Sequence, residues 1–477
     1  MAGIGFELKK LFNKKGYASN IAAYFYSAIV IVGPMITCMM IIVFYNIYLD
    51  LIGVTKPGID LLISTIVYSF IFSIIITGGF VYIISRYVSD KIFSGEFGKI
   101  LPSLYGSQVV VLIVSGISGF IFLSFSPLGI IYKLLAYLLF VEISMLWIEI
   151  VYISALRNYM KILRSFLFGA LIQIGLTITL TNIFAGDPII LALMSTVFGF
   201  FFIVLTLGIY IKQFYFHFDS GILIFLTYFK KFKYLFLTGF FITLGAYIHI
   251  ILFWFSKDSV IVAETFAICP NYDAPVFYSL LTIIPSMVLF VVSVETRFYS
   301  KYKAFYSSII NGGIIKEIKF AKTDMINVLV QEMTFIMEFQ LFISFLSITI
   351  GAKILPFIGF TRTMTDTFSI LVLGSFSYVM MVIVIMVLLY FDDIKGTLII
   401  SIIFLATNFV LTLSVLQLGI DYNGMGYFIS GFISLIVSLS RLGYFIKNID
   451  YYTYCKQPLY NMDKMMVFKV GFIEKLK

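Results

Sequence analysis

The sequence predicts an all-α polytopic membrane protein of about twelve transmembrane helices, grouped six plus six. Three observations carry this expectation. Of the 477 residues, 61% are hydrophobic and 12% charged, whereas soluble domains carry about 25% charged and 45–50% apolar residues. The apolar residues gather into twelve runs, each near the roughly 20 residues that a bilayer requires. The basic residues between the runs alternate from dense to sparse, as expected when loops fall on opposite sides of a membrane.

The runs lie near 21–49, 61–85, 102–125, 128–155, 165–184, 188–211, 233–255, 274–296, 333–352, 366–391, 397–418 and 425–446. Gly33 and Pro34 interrupt the first, and Pro285 interrupts the eighth. Proline removes a backbone donor, so each predicts a helix bend whose freed carbonyl needs a partner. Such bends serve either packing or a moving pathway. Only Ala185, Gly186 and Asp187 separate the fifth and sixth runs, which predicts a tight antiparallel pair. Asp421, Tyr422, Asn423 and Gly424 supply turn chemistry between the eleventh and twelfth.

Placing the N-terminus inside leaves only Lys56, Lys133, Lys257, Lys353 and Arg362 outside, with 28 of the 33 Lys and Arg inside. A bias this large predicts both termini on the cytoplasmic side of the inner membrane. The longest early inner connection divides the chain. Residues 1–20 read as a cytoplasmic amphipathic N-terminus, 21–211 as an N-lobe and 212–232 as a linker containing His217. Residues 233–446 read as a C-lobe with a cytoplasmic segment at 297–332, and 447–477 as a cytoplasmic tail. Residues 4–15 and 301–330 mix Lys with apolar positions, a pattern for helices lying on an anionic leaflet, with a solvated connector as the alternative.

The net charge of +9 does not indicate nucleic acid, because the charges sit in short loops rather than on one basic surface. Cys38, Cys269 and Cys455 fall in three different compartments, so no disulfide framework is expected. Two histidines, His217 and His249, give no metal-ligand spacing. No cofactor is expected, and neither a phosphate-cradling glycine loop nor a Ser/His/Asp set in a soluble domain occurs. The first apolar run is too long for a cleavable signal.

Residues that cost energy in a bilayer are the candidates for function. A charge at the centre costs at least about 2.5–3.5 kcal/mol on insertion scales. Glu142 and Glu149 lie in the fourth run, seven residues apart, which is about 10 Å along one helix face. They are read as pathway or coupling residues, with a structural pairing as the competing reading. Glu338 lies in the ninth run with Glu332 at its inner mouth, and Glu295 ends the eighth beside Arg297. His249 lies in the outer half of the seventh run near Tyr247, with Trp254 at its outer end. A packed histidine is the plainer reading of His249, and a membrane-embedded transferase using it is a second class of function. Arg86, Arg157 and Arg297 read as interfacial anchors. Asn408 and Gln173 are weaker candidates for polar lining.

The opening MAGIGFELKKL closely resembles that of the PelG family, the membrane component of Pel exopolysaccharide systems. So do SRYVSDKIFSGEFGKILPS at 85–103, SALRNYMKILRSFLFG at 154–169 and TIIPSMVLFVVSVETRFYSKY at 282–302. The resemblance implies a polysaccharide transporter of the MOP flippase superfamily, with two six-helix lobes around a central cavity. It implies export of an N-acetylgalactosamine-rich polymer for the biofilm matrix. Implied partners are the glycosyltransferase PelF and the membrane proteins PelD, a cyclic di-GMP receptor, and PelE. Deacetylation in such systems follows export, so the polymer in transit would be neutral. The alternatives are a flippase for a lipid-linked oligosaccharide and a cation-coupled drug exporter.

Overall fold

The computed structural model describes residues 37–156, 159–219, 221–419 and 422–455. Gly33, Pro34, Arg157, the amphipathic stretch 4–15 and most of the tail lie outside the described residues, as does the side chain of Glu295. Eleven helices among the described residues are long and apolar enough to cross a membrane, and Thr37–Leu51 is a shorter apolar helix.

In chain order the first half comprises α1 (Thr37–Leu51), α2 (Lys56–Ser94), α3 (Ile100–Ser124), α4 (Ile130–Ala155), α5 (Tyr159–Ile183) and α6 (Pro188–Phe214). Local chemistry sets several ends. Asp187 accepts a hydrogen bond from the Ile189 amide at 2.9 Å and Pro188 opens α6, so the tight α5–α6 turn is closed by a capping acid and a helix-starting proline. Gly95 closes α2 with φ 74°, a left-handed cap that glycine adopts without steric cost.

A short α7 (Thr227–Lys231) precedes α8 (Lys233–Trp254). A two-stranded antiparallel hairpin follows, β1 (Val260–Val262) and β2 (Phe266–Ile268), with Ile261 opposite Ala267. Next come α9 (Pro270–Leu281) and α10 (Ile284–Ser293). One wide π-turn at Val294–Phe298 then joins α10 to α11 (Tyr299–Ile310). The chain continues with α12 (Ile315–Ile354), α13 (Arg362–Tyr390), α14 (Ile394–Leu418), α15 (Met425–Lys447) and a short α16 (Ile449–Tyr454).

The helices form two hydrophobic cores. One joins α1 to α6, where α2 packs on α4, α4 on α6 and α5 on α6. The other joins α8 to α16, where α8 packs on α14, and α15 on both α13 and α14. Helix α2 belongs to both: Ile59, Leu62 and Ile66 face the first core, while Tyr68, Ile71 and Ile75 face the second. It meets α8 along the seam between the halves. Glycines permit this contact. A Cβ on Gly239 would stand 2.6 Å from the Gly78 carbonyl oxygen, and one on Gly79 would stand 2.8 Å from that of Phe236. Without a hydrophobic drive between helices in lipid, such backbone approach is a main source of their association.

Two segments differ from the sequence expectation in form. The run at 274–296 is a broken helix, because α9 stops at Leu281 and α10 restarts at Ile284 with Pro285 in its first turn. The segment 301–330 is the outer part of a helical hairpin. Helix α12 has 40 residues, about 60 Å at 1.5 Å per residue, twice the roughly 30 Å of a hydrocarbon core. It passes unbroken from this segment into the expected span at 333.

Candidate transport pathway

The site is built from three polar assemblies: one inside the first half, one inside the second, and one at the ends of the seam. The two faces of the bundle are named here by their content. The basic face holds the α2–α3 and α13–α14 turns, and the hairpin face holds β1 and β2.

Inside the first half, Glu149 of α4 is buried, at 1% exposure. Its Oε1 accepts a hydrogen bond from Gln108 Nε2 of α3 at 2.7 Å. A Cβ on Gly208 of α6 would stand 3.1 Å from the same oxygen, so α3, α4 and α6 enclose the carboxylate. Its Oε2 is buried without a hydrogen-bond partner among the described residues, and so is Oε2 of Glu142. Glu142 is half-buried. Beside this pair, Tyr152 Oη meets Ser103 Oγ at 3.0 Å, and Trp147 donates to Ser73 of α2 at 3.0 Å. Gln173 of α5 is fully buried with neither amide atom paired among the described residues. Higher in the same interior, Tyr45 Oη meets Thr196 Oγ1 at 2.7 Å and Tyr48 Oη meets Thr181 Oγ1 at 2.7 Å. A buried polar group normally has a partner, so the unmatched oxygens set Glu142 and Glu149 apart from the polar contacts around them.

Inside the second half, His249 is 1% exposed. Its Nδ1 lies 2.8 Å from the hydroxyl of Tyr272 on α9, and its ring stacks on Tyr427 of α15 at 4.3 Å. Tyr272 in turn stacks on Phe253 at 3.5 Å. Tyr247 is half-buried in the same core. Asn408 of α14 donates to the Gly245 carbonyl at 2.8 Å and accepts from Thr412 at 3.0 Å. The break before Pro285 is repaired from α12: Gln340 Nε2 donates to the freed Thr282 carbonyl at 3.1 Å and Oε1 accepts from Ser286. Irregular backbone at membrane depth persists where neighbouring side chains satisfy it in this way.

Glu338, two residues from Gln340 and so on another face of α12, is exposed. Glu332 is buried at the basic face, where its Oε1 pairs with Arg297 Nη1 at 2.8 Å. Nothing brings Glu338 to Glu142 or Glu149.

The seam is bridged at both ends. At the basic face Arg86 of α2 binds Asp392, in the α13–α14 turn, at 3.1 Å, and its guanidinium stands 5.3 Å from the Phe232 ring centre. The next residue, Asp393, is 1% exposed and takes a two-pronged bond from Arg441 of α15, at 2.7 and 2.9 Å. Asp393 also caps α14 through the Gly396 amide. At the hairpin face Tyr68 of α2 donates to the Ala267 carbonyl at 2.6 Å and accepts from its amide at 2.9 Å. Its ring stacks on Trp254 at 4.3 Å. Ser126 meets Thr265 of the hairpin turn at 2.7 Å. Beneath lies a cavity of about 260 Å³, lined chiefly by Tyr68, Phe72, Phe122, Phe140 and Phe266. On the basic face, Glu96 is held between Lys91 and Lys99, which bring its carboxyl down to about 2.

Sequence reasoning passed over Gln108, Tyr272, Gln340, Asp392, Asp393 and Arg441. One signal was available: Arg441 lies within an apolar run, where a charge calls for a partner. Gln108, Tyr272 and Gln340 offered none, because a single amide or phenol in an apolar run is common.

The model of the family described as "PelG: Putative exopolysaccharide Exporter (EPS-E)" matches residues 1–454. No curated protein matches the chain. Several solved structures share its fold. A variant of the Vibrio cholerae MATE transporter VcmN is 14% identical with TM-score 0.61, over 90% of this chain and 98% of that one. The eukaryotic MATE transporter AtDTX14 is 13% identical with TM-score 0.59, over 89% and 95%. A multidrug resistance MATE family transporter of the MOP superfamily, in an outward-facing conformation, is 14% identical with TM-score 0.52, over 89% and 96%. At these identities the likeness concerns the fold alone.

Proposed function

The chain belongs to the PelG family of exopolysaccharide exporters, and from that premise we propose that it carries a Pel-type, N-acetylgalactosamine-rich polymer across the cytoplasmic membrane for the biofilm matrix. The observation that carries this reading is the family match across nearly the whole chain, on a bundle of transporter fold. The basic face is the cytoplasmic one, supported by the 28 of 33 Lys and Arg that the twelve-span map places there. The protein works with a glycosyltransferase, PelF, and with the membrane proteins PelD and PelE. Cyclic di-GMP acts through PelD.

The geometry supports a passage along the seam between the halves. The glycine-lined α2–α8 contact is the natural pivot, since close backbone packing resists separation there while the ends open. Arg86–Asp392 serves as the latch on the cytoplasmic side, and Tyr68 with the 260–268 hairpin as the latch on the outer side. Glu142 and Glu149 lie inside the first half rather than on the seam. Their role is to couple its shape to a proton or cation, while the polymer itself meets hydroxyl and aromatic side chains. His249 is a packing histidine, held by Tyr272 and Tyr427. Its burial at 1% exposure supports that reading over a transferase role.

The test is a clean deletion with complementation, assaying N-acetylgalactosamine polymer outside the cell and in the lysate. The reading expects loss of extracellular polymer, restored by the wild-type gene and, per folded molecule, to the same extent by His249→Ala. Unchanged extracellular polymer would overturn it in favour of a flippase for a lipid-linked oligosaccharide or a drug exporter.

A further inference from the structure

Helix α13 ends in a Schellman motif. The Asp393 amide donates to the Leu388 carbonyl at 3.0 Å, and the Asp392 amide to that of Leu389 at 3.1 Å. Such a motif needs a left-handed residue at the position of Asp392, a place that glycine ordinarily fills. Asp392 stands there with φ 60°. Among the described residues the other non-glycine positive φ values, at Ala263 and Glu264, lie in the turn of the β1–β2 hairpin. An acid at this place also meets the negative pole of the helix dipole. Backbone and electrostatics both work against Asp392. Its carboxylate nevertheless reaches Arg86 across the seam at 3.1 Å.

The motif uses the Leu388 and Leu389 carbonyls. The next one, of Tyr390, accepts a hydrogen bond from Tyr302 of α11 at 3.0 Å. Around that bond the two segments share an aromatic cluster. The Tyr302 ring lies 6.0 Å from Phe391 and 4.6 Å from Tyr306. Phe298, fully buried, meets Tyr390 and Phe391 edge-on. Helix α11 thus grips the chain just before Asp392. It is itself part of a hairpin with the first half of α12, tied by Lys301 and Asp324 at 2.8 Å. Lys322 of α12 reaches Asp450 of α16 at 2.7 Å. The hairpin joins α10 through the π-turn at Val294–Phe298, and π-turns of this kind are frequent at functional sites. On the other side of the seam, Arg86 has a second acid, Asp90, one turn on in α2 at 3.2 Å. When Asp392 withdraws, Arg86 keeps Asp90, so release leaves no bare cation.

We propose that Tyr302 is a positioning residue for export. By holding the end of α13 it sets Asp392 against Arg86, so that the α11–α12 hairpin governs whether the cytoplasmic end of the seam is latched. The proposal rests on the latch reading above.

The experiment compares Tyr302→Phe, Arg86→Ala, Asp392→Gly and the double variant Tyr302→Phe with Arg86→Ala, in the full-length protein in cells. Secreted polymer per folded molecule and the melting temperature in detergent are measured for each. Tyr302→Phe keeps the ring in its cluster and removes the donor. It and Arg86→Ala should each lower secretion about two- to fivefold, the size that a half-exposed ion pair permits. The double variant should fall no further than Arg86→Ala, because residues acting through one contact are not additive. Asp392→Gly should secrete like Arg86→Ala while melting at or above the wild-type temperature, since glycine accepts φ 60° freely. A structural role for Tyr302 alone would lower its melting temperature and leave secretion per folded molecule unchanged. That result would overturn the proposal, as would additive losses in the double variant or an Asp392→Gly variant that secretes normally. If Arg86→Ala and Asp392→Gly lose secretion and Tyr302→Phe does not, the hairpin link fails and the latch stands. If Arg86→Ala secretes normally, the latch reading itself fails.

Discussion

Arg86 and Asp392 lie 306 positions apart in sequence and 3.1 Å apart in space, joining the two halves of the bundle at its basic face. Asp392 holds a left-handed backbone, φ 60°, which costs a non-glycine residue energy unless its surroundings fix it. Both side chains keep substantial exposure, 36 and 58%, so the pair contributes only about 0–1 kcal/mol to stability. A contact this weak suits a latch, because it can be broken on each cycle. Replacing both with cysteine should give a strain that secretes polymer under reducing conditions and stops when a disulfide is formed. Secretion that persists with the bond formed would show that the seam need not open there.

Asp393 and Arg441 form a pair of the opposite kind. Removing one partner of a buried pair leaves an uncompensated charge, at about 3–5 kcal/mol. Arg441→Ala should therefore sharply lower the melting temperature in detergent, while Asp393→Leu with Arg441→Met should recover most of it. Equal loss in the single and double variants would place the cost in the α14 cap instead.

Glu142→Gln and Glu149→Gln test coupling inside the first half. Each keeps the shape but cannot ionise, and Glu149→Gln retains an amide oxygen for the Gln108 donor. At least one should cut secreted polymer severely without reducing the amount of protein in the membrane. Normal secretion by both would remove the coupling role.

Gln340→Leu leaves the Thr282 carbonyl and the Ser286 hydroxyl unmatched, a loss of about 1–3 kcal/mol for each stranded group. The melting temperature should fall, and Gln340→Glu should recover little, since a carboxylate cannot donate to the carbonyl. A neutral Gln340→Leu would mean that water or a local shift repairs the break.

His249→Ala opens a cavity beside Tyr272 and Tyr427 and should destabilise by a few kcal/mol, while secretion per folded molecule stays unchanged. Loss of secretion at full protein level would revive a chemical role for the imidazole.

The sequence by itself determined the class of the fold. Each span has to satisfy its own backbone within one continuous apolar run, so the bilayer writes a local rule into consecutive residues. The tight turn at Ala185, Gly186 and Asp187, and the break at Pro285, were legible for the same reason, because turn and proline effects act within a few positions. The acids at 142 and 149 stood out because charge in lipid is costly wherever it sits. What only the tertiary structure decided is what those residues face. That Glu149 looks between α3 and α6, that Gln340 mends a helix 58 residues away, and that Asp392 and Asp393 turn to arginines of different halves all depend on pairings between distant helices. Lipid tails are as apolar as leucine, so helix faces carry little hydrophobic contrast to announce their partners. Close packing at glycines and a few hydrogen bonds choose them, and neither leaves a period in the sequence.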